Sequence, residues 1–266
     1  ISLLINTQIA SHLAPGSVSW ITNADRLMEF PTAMLGVALG VVLMPQLSAV
    51  QANRNDVEYS AMLDWGLRLV VLLSIPCSVG LLLFAKPLVA TLFNYHAFHA
   101  GDVDRTAAAL MNYGVGLIGI VSIKVLAPGF YARQDTATPM RVAVGVLVLV
   151  QVLNYFLVPP LQHAALTLSI SIGATVNALL LLAVLIRRGS YRPSPGWGRY
   201  LLQVIVASAL LAVFLMWGAN AFEWTGANVE KAKRIWSLIL MLLFSGVIYF
   251  VALRLTGLRV KALLRH

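Results

Sequence analysis

The chain has 266 residues, of which 59% are hydrophobic and 11% charged, with a mean hydropathy of +0.84. A soluble domain carries roughly 25% charged residues, so these proportions exclude a water-soluble globule and leave a polytopic membrane protein. The net charge of +9 would suggest nucleic acid in a soluble protein, but here the basic residues lie between apolar runs, where loop charge sets membrane orientation, and nucleic acid is not expected as a partner. Lipid offers the backbone no hydrogen-bond partners, and apolar runs of about 20 residues without period-2 alternation select helices over a closed barrel. The expected fold class is therefore all-α, a helical membrane bundle. Cys77, the one cysteine, falls inside an apolar run and implies neither a disulfide framework nor a cysteine-based metal site.

In chain order, the opening residues ISLLINTQIASHLA lack an initiator Met, a basic n-region and a small-residue cleavage pattern. They read as a span cut midway, Ile1 to Leu13, with Ile1 not the natural start. Seven full spans are expected: Val18 to Leu47, Trp65 to Phe84, Thr106 to Phe130, Pro139 to Val158, Ala164 to Ile186, Tyr200 to Trp217 and Ile235 to Leu255. Pro31, Pro76 and Pro128 sit inside spans, marking kinks that serve either a cavity or packing alone. The polar segment Ser48 to Asp64, with Val57, Met62 and Trp65 spaced along it, predicts a short amphipathic helix on the membrane surface. RRGSYRPSPGWGRY, Arg187 to Tyr200, cannot continue a helix through Pro193 and Pro195 and marks the internal boundary, after which two spans are appended.

Orientation follows from the basic residues. With the Arg187 loop in the cytoplasm, that side receives Arg54, Arg68, Arg133, Arg141, Arg187, Arg188, Arg192, Arg199, Arg254, Arg259, Lys261 and Arg265. The other side receives only Lys86, Arg105, Lys231, Lys233 and Arg234. The positive-inside rule then predicts a cytoplasmic C-terminus.

The first full span carries Asp25, Arg26 and Glu29, and each charge at the centre of a membrane helix costs about 2.5–3.5 kcal/mol on insertion scales. Such groups persist where they face one another, water or a polar cargo. Helical spacing puts Ser19, Asn23, Arg26 and Glu29 on one stripe, with Asp25 about a hundred degrees away. A guanidinium on that stripe offers a planar fork for phosphate or carboxylate, and Glu29 could hold it when cargo is absent. The plain alternative is an internal ion pair that fixes packing. Lys124 could add cationic character to such a cavity or snorkel to the interface, and the sequence favours snorkelling. Asn154, Thr167, Ser169, Ser171, Thr175 and Asn177 are expected mainly as interhelical hydrogen bonds. His96 and His99, near Asp102 and Asp104, have metal-ligand spacing, but their place at a span end favours interfacial anchoring. No phosphate-binding loop, nucleophile elbow or HExxH motif is present, so no enzymatic activity is expected.

Two stretches, GSVSWITNADRLMEFPTAMLGVALGVVLMPQLS and KVLAPGFYARQDTATPMR, closely resemble the MurJ (MviN) family of lipid II flippases, and the similarity continues through LQHAALTLSISIGATVNALLL to the end of the chain. The resemblance implies a flippase-superfamily fold of fourteen membrane helices, two six-helix lobes plus a final pair. This chain would be the second lobe (1–188, starting inside the seventh helix), a cytoplasmic linker (189–199) and the two-helix pair (200–266). The N-terminal lobe would be missing and would be its partner. The same resemblance makes the pair a groove for a polyprenyl tail, and makes Arg26 the family's essential arginine, Glu29 its acidic companion and Ser19 a cavity-lining serine. Some members bind sodium at a site where an acidic residue stands in place of Asn6 and where Asn154 matches a ligand; the neutral side chains here argue against claiming sodium.

The expected function is thus a fragment of a lipid II flippase in the bacterial inner membrane, moving undecaprenyl-pyrophosphate-linked precursor outward by alternating access. Its partners would be lipid II and membrane lipids, without a cofactor, and with coupling to a monovalent ion or to the membrane potential. A related exporter of another polyprenyl-linked sugar or drug is the nearest rival; a non-transporting scaffold, in which Arg26 and Glu29 only pair with each other, is the rival from another class.

Overall fold

A bilayer requires each spanning segment to satisfy its backbone internally. The computed structural model, which describes residues 2–95, 98–225 and 231–258, does so with helices. In chain order these are α1 (Ser2–Ser11), α2 (Ser17–Ala52), α3 (Asp56–Leu83), α4 (Ala85–Phe93), α5 (Ala100–Ala132), α6 (Ala137–Leu161), α7 (His163–Arg187), α8 (Trp197–Ala221) and α9 (Lys231–Leu255). All but α1 and α4 are long and apolar enough to cross a membrane, matching the seven full spans, and the chain is a multi-pass membrane protein.

The expected surface helix between Ser48 and Asp64 does not form. Instead α2 runs on to Ala52, three residues make the turn with Arg54 at φ 54, and α3 starts at Asp56. The cause is local. Asn55 caps α3 by accepting from the Glu58 amide at 3.1 Å, and Asp56 and Glu58 suit the positive end of the helix dipole. Tyr59 and Leu63, fully buried, then draw this first part of α3 into the bundle. The helix α4 was not anticipated; it follows the fully buried Phe84 and packs on α5.

Helix α5 is the centre, with α2, α3, α4 and α7 packed on it. Lipid supplies little hydrophobic drive between helices, so close approach of small residues sets the crossings. A methyl added at Gly116 would stand 2.4 Å from the Cα of Ser171, and one at Gly119 would stand 2.7 Å from the Cα of Thr175, so α5 and α7 nearly touch backbone to backbone. The Ser171 hydroxyl donates to the Asn112 carbonyl at 2.7 Å across the same contact. Leu110, Tyr113, Leu117, Val121 and Val125 fill the rest of the α5 core. Helix α6 leans on α7, and α8 and α9 pack on each other, with α8 against α3.

Successive spans alternate in direction, so their ends collect in two groups. Arg133 pairs with Asp56 and Arg188 with Asp135, each at 2.6 Å, at what is called here the Arg188 end. At the opposite end Lys86 pairs with Asp104 at 2.7 Å, and Arg105 lies 4.4 Å from the Trp20 ring centroid.

Candidate functional site: a charged face of α2

Helix α2 begins after Gly16, whose φ of 98 places it in the left-handed region that glycine tolerates best. Along the helix, Trp20, Ala24 and Leu35 are buried against the bundle. The opposite side is open: Ser19, Thr22, Arg26, Glu29 and Ala33 are exposed, and Asn23 is half-buried at the edge. The stripe anticipated from spacing is therefore real. Ser19 to Glu29 covers about 15 Å of helix at 1.5 Å per residue. Asp25, as its angle predicts, leaves this face and turns toward the Tyr113 hydroxyl of α5.

The expected Arg26–Glu29 pair does not form; the ion pairs among the described residues lie elsewhere, on Arg68, Lys86, Arg133 and Arg188. On an open face, two flexible side chains gain little from meeting and lose rotamer freedom by doing so. Arg26 thus presents its fork outward. A groove of about 430 Å³ between α2 and α3, at Gln46, Val50, Glu58, Met62 and Trp65, is at the Arg188 end and does not include Arg26. An arginine on an open face needs a second wall before it can enclose a ligand.

Lys124 departs from both expectations. It does not snorkel: its stem lies across Gly36, where an added methyl would stand 2.0 Å from Cδ, and its ammonium donates to the Thr32 carbonyl at 3.3 Å. Thr32 is buried, six residues and about 120° round α2 from Arg26, so Lys124 fastens α5 to α2 and does not share the Arg26 face. The hydroxyl of Thr32 also bonds back to the Met28 carbonyl at 2.9 Å, beside the backbone gap that Pro31 leaves.

The two candidates for sodium do meet. Asn154 of α6 donates to Asn6 of α1 at 3.0 Å, both buried. The buried Asn154 Oδ1 is left without a partner, but neither residue is a carboxylate, so the pair offers a cation no compensating charge and serves as a bond between helices. Among the other polar residues in α7, Ser171 bridges to α5 as expected, whereas Thr167 and Thr175 bond back to their own helix. His96 lies outside the described residues. Asp102 accepts from the Trp20 indole at 2.8 Å and caps α5 through His99, and Asp104 is paired with Lys86, so both carboxylates have structural work.

The densest polar cluster was missed in the sequence. On α3, Ser60, Asp64, Arg68 and Leu72 recur every four residues, a single stripe. Asp64, 4% exposed, accepts from Arg68 Nε (2.8 Å), the Tyr191 hydroxyl (2.8 Å), the Ser194 amide (3.2 Å) and hydroxyl, and the Trp197 indole (2.7 Å). Arg68 also donates to the Ser194 hydroxyl and the Pro195 carbonyl, and its guanidinium lies 5.1 Å from the Trp197 ring and 5.4 Å from that of Tyr200. Burial first, and then the Asp64 carboxylate, push the Tyr191 phenol above its usual range, so it remains a donor. Nearby, the Arg188 guanidinium, followed by the Thr138 hydroxyl and amide, holds the Asp135 carboxyl well below the ordinary carboxylate range. The i, i+4 spacing of Asp64 and Arg68, opposite a turn rich in aromatic and Ser residues, was the available signal.

The family model described as Lipid II flippase MurJ matches residues 1–252. The chain belongs to the lipid II flippase MurJ family. It is 51% identical over 257 residues to the lipid II flippase MurJ of Burkholderia cenocepacia, covering 97% of this chain and 50% of that protein. Probable lipid II flippases MurJ of Buchnera aphidicola and Vibrio cholerae are 36% and 33% identical, covering 97% and 99% of this chain and half of each relative. The chain spans about half the length of the curated relatives it matches. A solved structure of a lipid II flippase MurJ in an inward closed conformation superposes with a TM-score of 0.76 over 95% of this chain and 50% of that one, at 20% identity, and shows the same fold.

Proposed function

We propose that this chain is the C-terminal half of a flippase that moves lipid II outward across the bacterial inner membrane, and that the Ser19, Asn23, Arg26 and Glu29 face of α2 binds the pyrophosphate head group. The observation that carries this is the exposed, unpaired Arg26 on a membrane span. A charge in that position needs water or a cargo to face, and guanidinium suits phosphate oxygens through paired N–H donors. The scaffold reading required Arg26 and Glu29 to satisfy each other, and they do not meet.

The second wall of the cavity would come from an N-terminal lobe, and rocking of the lobes would expose the head group alternately to each side. The C-terminus would be cytoplasmic, since the Arg188 end holds the greater share of Lys and Arg. Outward movement of an anion from a negative interior gains about 2.3 kcal/mol per charge per 100 mV. The membrane potential could therefore drive transport with no cofactor. The appended α8–α9 pair would carry the polyprenyl tail along its apolar surface.

Labelling tests the face. In a Cys77→Ala background, a cysteine replacing Thr22 of the full-length protein should react with a membrane-impermeant maleimide and be protected by lipid II. Equal labelling with and without lipid II would contradict head-group binding at this face.

A further inference from the structure

The turn between α7 and α8, residues 188–196, has the composition of a loose tether, yet it is held by more directed bonds than any other turn described. Four side chains or amides from the turn and the start of α8 converge on the one carboxylate of Asp64, which has almost no access to water. A buried carboxylate is costly unless every lone pair is used, and apolar packing often gives equal or greater stability. What the charged cluster adds is direction. Its neighbours on the same stripe extend the contact along α3: Ser60 exchanges hydrogen bonds with the Arg192 backbone, Tyr200 of α8 donates to the Arg68 carbonyl at 2.5 Å, and Tyr249 of α9 donates to the Leu72 carbonyl at 2.5 Å. The turn, α8 and α9 are therefore each tied to successive turns of one helix.

We infer that Asp64, with Arg68, is a positioning residue that locks the 188–196 turn and the α8–α9 pair onto α3, so that the pair travels with α3 as one body during transport. In a lobe-rocking mechanism this keeps the tail-bearing surface in constant register with the lobe that carries Arg26. The attachment itself stands on the geometry of α3; its consequence for the lipid tail rests on the function proposed above.

Two measurements on the full-length protein separate these parts. In a Cys77→Ala background, spin labels at Ala61 of α3 and Leu202 of α8, both exposed, report their separation by double electron–electron resonance. The expected result is one narrow distance peak, unchanged by lipid II, that at least doubles in width in Asp64→Ala. Should that variant fail to accumulate, Tyr191→Phe, which removes one donor and keeps its ring, and Trp197→Phe, which removes one donor and leaves a smaller aromatic ring, should each widen the peak by a smaller amount. A broad or two-peaked distribution in the unmutated protein would overturn the inference, as would unchanged widths in the folded variants. The second measurement is transport. Asp64→Asn, which keeps one acceptor oxygen and loses the charge, should raise the apparent KM for full-length lipid II at least tenfold and leave that for a short-chain analogue within about twofold. If the distances behave as expected but both chain lengths suffer equally, the clasp stands and the tail-binding role of the pair falls.

Discussion

Placing a methyl group at two glycines of the same bundle should have opposite effects, and the contrast tests how α5 and α7 are held. At Gly116 the new carbon would lie 2.4 Å from the Ser171 Cα and 2.7 Å from its Oγ. Because one of these atoms is backbone, no rotamer change relieves the clash, and the helices must separate. Overpacking of this kind costs about 1–3 kcal/mol, and drawing Ser171 away from the Asn112 carbonyl loses a hydrogen bond worth roughly 1 kcal/mol. The gain in helix propensity on replacing glycine by alanine returns about 1 kcal/mol. The net expectation for Gly116→Ala is a destabilisation of about 1–3 kcal/mol, or roughly 5- to 150-fold in the folding equilibrium. Gly145 on α6 has no atom within 4 Å of the same position, so Gly145→Ala keeps only the propensity term and should be neutral or slightly stabilising. Unfolding of the full-length protein in mixed micelles by titrated denaturing detergent reads both. Equal midpoints for the two variants would refute the close α5–α7 contact.

Lys124→Met keeps the stem over Gly36 and removes the ammonium; if Lys124 fastens helices and does not hold cargo, transport should stay within a few-fold of normal, and loss as complete as for Arg26→Ala would return it to the binding face. Asp135 has a folded pKa below its unfolded value, so its pairing with Arg188 stabilises the fold fully above the ordinary carboxylate value near 3.8 and is lost as pH falls below that toward the lowered one. The unmutated protein should therefore lose more stability than Asp135→Asn when acidified from pH 5 to pH 3, by a difference that shrinks in high salt because both partners are partly exposed. Parallel thermal-stability curves for the two proteins would refute that linkage.

The spans were legible because about 20 apolar residues in lipid leave little choice but a helix. The α2 stripe was legible too, since helical periodicity alone puts Ser19, Arg26 and Glu29 on one side and Asp25 off it. What failed depended on partners distant in sequence. The first turns of α3 looked like a surface helix because Val57, Met62 and Trp65 are spaced amphipathically, whereas the burial of Tyr59 and Leu63 is decided by α5. Lys124 looked free to snorkel because nothing near it in sequence shows Gly36 opening a channel for its stem, 88 positions earlier. Apart from Arg68, the donors to Asp64 lie about 130 residues away, and no local pattern pairs them with it.

The most direct test of the central claim is transport by full-length Arg26 variants at matched membrane levels. Losing a charge-assisted contact to phosphate costs about 1.5–3 kcal/mol, so Arg26→Ala should lower lipid II translocation in proteoliposomes at least tenfold. Arg26→Lys, a point charge without the fork, should fall between. Translocation by Arg26→Ala at the unmutated rate would contradict head-group binding by the α2 face.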